Sequence, residues 1–399
     1  MKRVLGYALV LSAGLSMANP IADAAPKSVV TQLGSIYSAP AGTEGFVVVG
    51  KSAIYFQNIV GKSSDIVLTS IDITGAQLWQ RTIDSGVDEI GAVITADTLG
   101  NIWVAGASAL AATIESATST AGIDNPDAVI VETKTALRPD LNQLTLWKLK
   151  STGEVAATYL YPSKSLPEIN GIAASSSGVS IIGNLDHKPF LITNISGIFG
   201  KPIFIGSEKT EFNSVTRNSD GSSSIFGSSS ETISGKKVAG IRDGILLKVS
   251  KSGAISNLVR SSANKASRSW ISGDSANLVS GPVITGKKIE SAITKFSATF
   301  SPQWTLRVPS AGPSVTLTAN GNSYLAISSN SAIPGISNWK PLAPSLLVIT
   351  FDGKGVIKAA TALPGLVSPL SLQYSTSRGV TGLAESADGT VSIFTLVSR

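Results

Sequence analysis

The chain has 399 residues, 43% of them hydrophobic and only 15% charged, with 38 glycines, no cysteine and a formal net charge of +6. Lack of cysteine excludes disulfides and thiolate metal centres, so a large buried core must hold the fold without covalent staples. A single histidine excludes a histidine-built metal site, and mild basicity without a dense basic run argues against a nucleic-acid binder.

Residues 1–24 read as an export signal. Lys2 and Arg3 precede an apolar stretch from Val4 to Ala18, and Ala22-Asp23-Ala24 supplies a small-x-small cleavage site. The apolar stretch is short for a membrane span and is interrupted by Ser12 and Ser16. This predicts a secreted or extracytoplasmic protein of the cell envelope whose domain runs from residue 25 to 399, with no stable membrane insertion after cleavage.

The segment Lys27 to Leu33 is strand-like, and from there two kinds of hairpin alternate. Copies of the first kind begin at Ser35, Gly91, Gly171, Ser214, Ile271, Val315 and Val380. The clearest, Gly91 to Gly106, reads GAVITADTLGNIWVAG: an alternating strand, a polar turn, then an apolar strand ending on glycine. Copies of the second kind begin at Asp65, Gln143, Pro189, Asp243, Ser291 and Ser345. Five have a glycine at or near the turn: Gly75, Gly153, Gly200, Gly253 and Gly355. The copy at Ser291 has Thr299-Phe300-Ser301-Pro302 instead, so its turn must differ.

Two hairpins in tandem make a four-stranded unit of about 45–55 residues, the size of a propeller blade. The pattern predicts an all-β chain: a single β-propeller of seven four-stranded blades, with the first hairpin of each blade inside and the second outside. Seven inner pairs and six outer pairs leave one blade short, and Lys27 to Leu33 is expected to complete the last blade as an N-terminal strand. The structural alternative is a six-bladed ring with a loose N-terminal hairpin.

Asp65, Gly75, the run Leu78-Trp79-Gln80 and the segment GNIWVAG from Gly100 together resemble the bacterial secreted β-propeller repeat. The likeness is best over residues 65–106 and weaker but periodic to Arg399. It implies a fold with no common activity and brings no functional residues with it. The stretch Asp72 to Trp79 is also similar to the tryptophan-docking motif of quinoprotein propellers. That similarity implies inter-blade packing for Trp79 and, more loosely, Trp304; no ligands for a quinone can be assigned, and no cofactor is expected.

Four connections between inner and outer hairpins are long: Lys51 to Ser64, Ala107 to Asn142, Ser228 to Arg242 and Ser329 to Pro344. Equivalent connections of a repeat ring emerge on one face, where insertions build binding surfaces. They nominate Tyr55, Phe56, Arg138, Lys236, Lys237, Arg242, Trp339 and Lys340 as ligand-binding residues, with Lys287 and Lys288 in the same connection of the fifth blade. Aromatic and basic groups together suit a carbohydrate or acidic polymer through stacking and charge pairing.

No catalytic set and no metal site emerge. His187 lies in a short polar loop without a nucleophile elbow to serve it. Asp88, Glu89, Asp274, Glu385 and Asp388 fall in or near inner hairpins, and paired carboxylates do glycoside chemistry, but spacing alone brings no two of them together. The sequence therefore points to a non-enzymatic binding module, monomeric, with an extracellular glycan, an acidic polymer or a protein as partner. Its ligand would sit on the long-loop face or at the channel mouth. The runner-up is a propeller enzyme, hydrolase or lyase, acting on extracellular glycans through inner-strand carboxylates; a purely structural surface protein is the third reading.

Overall fold

The computed structural model describes residues 25–32, 36–110, 140–262, 264–310 and 312–397. Every regular element among them is a β-strand. The signal segment and Arg138 lie outside the described residues.

The chain is an all-β propeller. Blade 1 runs through Thr43–Val49, Ser52–Val60, Ser64–Ile71 and Gln77–Ile83. Blade 2 comprises Glu89–Ala96, Ile102–Ser108, Gln143–Leu149 and Val155–Pro162, and blade 3 spans Glu168 to Phe204. Blade 4 uses Thr210–Arg217, Ser223–Ser229, Asp243–Val249 and Ile255–Ser261. Blade 5 spans Ala266 to Pro309 and blade 6 Ser314 to Leu363. A closing sheet joins both ends of the chain: Leu366–Ser375, Gly379–Ser386 and Val391–Thr395, with Ile36–Ser38 added antiparallel to the last of these.

The sheets stay together because each is apolar on both faces. Neighbouring residues of a strand point to opposite faces, so Tyr55 and Phe56 enter different layers. Tyr55 packs with Phe46, Leu383 and Ile393 between the closing sheet and blade 1. Phe56 packs with Ile66, Ile102 and Trp147 between blades 1 and 2. Such a layer lies between every pair of adjacent sheets around the ring.

The glycine that ends the first hairpin motif has a packing cause. The innermost strand bulges opposite it, between Gly91 and Val93 in blade 2 and between Phe212 and Ser214 in blade 4. The bulge pushes a carbonyl into the space a side chain would need. A Cβ on Gly106 would lie 1.9 Å from the Ile90 oxygen, and one on Gly227 the same distance from the Glu211 oxygen.

A second close approach locks neighbouring blades at their outer edge. A Cβ on Gly153 or on Gly197, each in an outer turn, would come within 2.7 Å of a ring of the preceding blade, Trp79 and Tyr159 respectively. Gly355 meets Trp304 at 2.6 Å in the same way. Trp79 and Trp304 thus pack between blades, as the docking-motif similarity implied. The outer turn of blade 3 uses Gly197 rather than Gly200, since Gly197 has the positive φ of 87°. In blade 5 the residue in that position is Phe300, at φ 62°. A left-handed aromatic residue costs about 1–2 kcal/mol; burial of its ring beside Trp270 and Phe296 offsets that cost.

The closure differs from expectation. Lys27–Thr31 does not complete the last blade. It lies parallel to Ile357–Leu363 on the outer edge of blade 6, with Val29 opposite Ala360 and packed into that blade's core. The strand added to the last sheet is Ile36–Ser38. A Cβ on Gly75 would lie 2.7 Å from the ring of its Tyr37, whose hydroxyl is 3.1 Å from that of Tyr55. The phase of the first hairpin is also off by one strand. Ser52–Val60 is the second strand of blade 1, not a long connection, and Val380 begins the second strand of the closing sheet, not its first. The reason is that every turn of an antiparallel ribbon makes a hairpin, so local signals mark turns without saying which turn starts a blade.

We expect Tyr37→Ala to destabilise the fold by about 3 kcal/mol, the usual cost of deleting a packed aromatic ring. Deleting residues 26–31 should lower the thermal midpoint by several degrees by uncovering the edge of blade 6. Thermal melts of both variants check this; an unchanged midpoint for Tyr37→Ala would show that the ring does not depend on this contact.

Candidate functional site

Successive strands of a blade run antiparallel, so the turns between first and second strands share one face with those between third and fourth. The connections between second and third strands, and the links from blade to blade, share the opposite face. Long connections survive there in blades 2, 4 and 6: residues 109–142, 230–242 and 330–344. Most of the first lies outside the described residues.

The nominated side chains do not form one aromatic and basic rim. Tyr55 is 3% exposed and Phe56 fully buried, because their segment is a core strand. Burial also pushes the Tyr55 phenol up to about 12. Trp339 is 5% exposed: its connection folds inward and sets Ile333, Ile336 and Trp339 into the core of blade 6. Lys236 donates to the Leu258 carbonyl. Arg242 pairs with Glu211 at 2.7 Å and donates to the Ser228 hydroxyl at 2.9 Å. Lys288 is paired with Glu290 at 2.9 Å. Lys237 and Lys340 stand exposed on different blades. Aromatic residues in a chain this apolar are drawn into the layers between blades, and a loop signal gives no warning of that.

His187 occupies an exposed two-residue turn with Asp186, both left-handed at φ 60° and 50°. That is hairpin geometry, and it agrees with an ordinary loop role.

The innermost strands enclose a central channel of about 580 Å³. Its wall is made of short runs from these strands, whose polar members include Thr95, Asn213, Ser214, Thr216, Ser272, Thr316, Ser371 and Gln373. Among the described residues, only Arg217 and Asp274 bring charge to it. Arg217 is turned into blade 3, donating to the hydroxyls of Ser177 and Ser180 at 3.0 and 2.9 Å and to the Ser177 carbonyl at 2.7 Å. Asp274 caps its own turn, its Oδ1 accepting from the amides of Ala276 and Leu278 at 2.9 and 3.0 Å. Asparagines at the bulges tie the wall together. Asn170 donates to the Phe212 carbonyl and Asn213 to the Trp270 carbonyl, each in the next blade. The channel wall is thus mixed, with hydroxyl, amide and backbone groups beside apolar side chains such as Ile172, Val215, Val315, Leu317 and Leu372, a lining that sequence periodicity placed on inner strands without singling out.

The inner-hairpin carboxylates do not gather in it. Asp274 lies on the turn face opposite the long connections. Glu385 and Asp388 belong to the closing sheet, where Asp388 is a turn cap held at about 2 by the Ser386 hydroxyl and the Thr390 amide. Asp88 and Glu89 stand at the junction of blades 1 and 2. There Glu89 meets Asp65 and Asp84, one carboxylate oxygen of each lying within 4.8 Å of the other two. Asp65 is the second residue of the third strand of blade 1, Asp84 follows the fourth, and Glu89 opens blade 2. Among the described residues this is the one acidic trio close enough to share an ion.

Neither a protein-family model nor a curated protein matches the sequence. Solved structures do match the fold. Virginiamycin B lyase from Staphylococcus aureus, solved as a catalytically inactive histidine variant with quinupristin, superposes with a TM-score of 0.53. It is 12% identical, over 91% of this chain and 99% of that one. A streptogramin B lyase gives 0.50 at 13% identity, over 90% and 96%. The β-propeller domain of the Trilobed protease from Pyrococcus furiosus gives 0.50 at 10%, over 91% and 96%. This chain shares the propeller fold with all three. Identities this low establish architecture and leave activity to the site itself.

Proposed function

We propose that this protein is an exported, non-enzymatic binding module that takes an uncharged polar ligand of the glycan class at the mouth of its central channel. The observation that supports it is the channel wall: hydroxyl and amide groups beside apolar side chains that suit the carbon faces of a sugar, with Arg217 held by blade 3 and Asp274 by its own turn through Oδ1, its Oδ2 being without a partner among the described residues. Such a lining offers hydrogen bonds to sugar hydroxyls and little to an anion, so an acidic polymer is the weaker reading. Catalysis at the channel is disfavoured because, of the carboxylates named for it, only Asp274 lines the channel. The lyase described as inactive was disabled at a histidine; the single histidine here sits in a surface turn.

We count the closing sheet as a seventh blade. It has four antiparallel strands, Leu366–Ser375 brings Pro369 to Gln373 to the channel, and Tyr37 covers Gly75 as Trp79 covers Gly153.

An array of neutral and acidic glycans, probed with the mature protein, tests the reading. A neutral-glycan hit is expected, lost in Ser371→Trp, which fills the channel, and weakened about tenfold in Gln373→Ala, a loss of about 1.4 kcal/mol. Binding that survives both variants in folded protein places the ligand elsewhere, and release of new reducing ends would instead make the protein an enzyme.

A further inference from the structure

We propose that Asp65, Asp84 and Glu89 form a calcium-class divalent cation site at the junction of blades 1 and 2. The trio fits a hard ion. Oxygens that share one calcium at about 2.3–2.6 Å lie at most about 5 Å apart, and these lie within 4.8 Å of one another.

Glu89 carries the case. Its side chain is fully buried. Oε1 accepts from the amide and hydroxyl of Ser85, but Oε2 has no hydrogen-bond donor among the described residues. A buried carboxylate oxygen left without a donor is costly unless something positive meets it. Among the described residues no lysine or arginine pairs with any of the three acids. Asp65 accepts only the Ser63 hydroxyl at 2.8 Å, and Asp84 the Gly86 amide at 2.8 Å. Asp84 is exposed and Asp65 half-buried, so the trio has an open side through which an ion can enter.

Blade 4 shows what the same place in the fold looks like when it is filled. Asp243 stands where Asp65 stands, as the residue before pairing with the fourth strand begins. Two residues on, Ile245 pairs with Arg260, while in blade 1 Val67 pairs with Thr82. Arg260 reaches Asp243 at 3.3 Å, and Ser262, in the place of Asp84, donates to it. Blade 1 has exchanged that arginine for a threonine and that serine for an aspartate, and the next blade adds Glu89. One built-in cation is removed and two carboxylates are added, which is the substitution a mobile divalent ion requires. Burial, with the charges of Asp65 and Asp84 behind it, pushes the Glu89 carboxyl up despite the Ser85 hydrogen bonds; a bound cation relieves all three.

The test uses the mature protein stripped with EDTA and titrated with calcium chloride by calorimetry, with thermal melts in parallel. One saturable site and a midpoint raised by several degrees are expected. Glu89→Gln should weaken binding at least about tenfold, as loss of a charged ligand does; if that variant does not fold, Asp84→Asn at the exposed corner gives the same readout. Thr82→Arg, which supplies the cation of blade 4, should abolish the calcium response and leave the calcium-free midpoint at or above wild type. No heat and an unchanged midpoint up to about 10 mM calcium, beyond the weakest extracellular sites, overturn the proposal. So does a trio whose stability rises only with acid, which would mean that protons hold the carboxylates together. Glycan binding at the channel is measured separately, so failure of either reading leaves the other standing.

Discussion

Gly227→Ala is expected to cost about 4 kcal/mol, at the upper end for a single substitution, although it adds only one methyl group to a buried strand. The added carbon would sit 1.9 Å from the Glu211 carbonyl oxygen and 3.0 Å from its carbon. Both atoms are backbone, and they are held by the bulge between Phe212 and Ser214. Neither can rotate away. Relief requires the bulge to be drawn out, and the bulge is what aims Asn213 at the Trp270 carbonyl of the next blade. The substitution therefore strains one blade and loosens its contact with another. Gly61→Ala is the control: it has ordinary φ, and its nearest neighbour is a backbone oxygen at 3.6 Å. Chemical denaturation of the two variants should separate them by several kcal/mol. Equal stabilities would show that the innermost strand of blade 4 adapts without the bulge.

Asp243→Asn is the second large effect, about 3 kcal/mol at neutral pH, in the range for breaking a buried ion pair by removing one charge. Asp243 is fully buried and Arg260 nearly so, with side-chain exposures of 0% and 7%. Burial alone would raise the Asp243 carboxyl. The Ser262 hydroxyl, the amides of Ala239 and Gly240 and the Arg260 guanidinium outweigh it and hold the group below the usual carboxylate range. A carboxyl with a depressed folded pKa contributes stability that is complete above its unfolded value, about 3.9, and is lost as pH falls through the folded one. The gap between wild type and Asp243→Asn should therefore be full at pH 7 and shrink below about pH 4. Melts at pH 7, 5 and 3 read it directly. A gap that does not change with pH would mean that the asparagine loses packing or hydrogen bonds, and that charge plays no part.

Both effects were half-visible before any coordinates. The recurrent glycine closing the first hairpin motif marked a position with a steric demand, and Asp243 opened a recurrent motif as Asp65 did. What could not be read was the partner. Arg260 lies on the other arm of the hairpin that Asp243 opens, but the register between them depends on the bulge between Lys248 and Val249, which no turn signal shows. The same limit explains the nominated binding residues. The local signals around Tyr55 and Phe56 mark a turn without showing that the residues after it form the second strand of a blade, and the polar, proline-containing segment around Trp339 hides the apolar layer that the ring enters.

The amino-acid sequence by itself determined the all-β class, the alternating hairpins, the turns and the glycines between blades, because those depend on residues a few positions apart: strand alternation, turn conformation and the room a side chain needs. Only the tertiary structure decided which turn begins a blade, that Ile36–Ser38 and not Lys27–Thr31 completes the last sheet, and that Asp65, Asp84 and Glu89 face one another. Each of those depends on burying apolar faces between neighbouring sheets around a ring, an energy that belongs to pairs of blades and is written in no single segment of the chain.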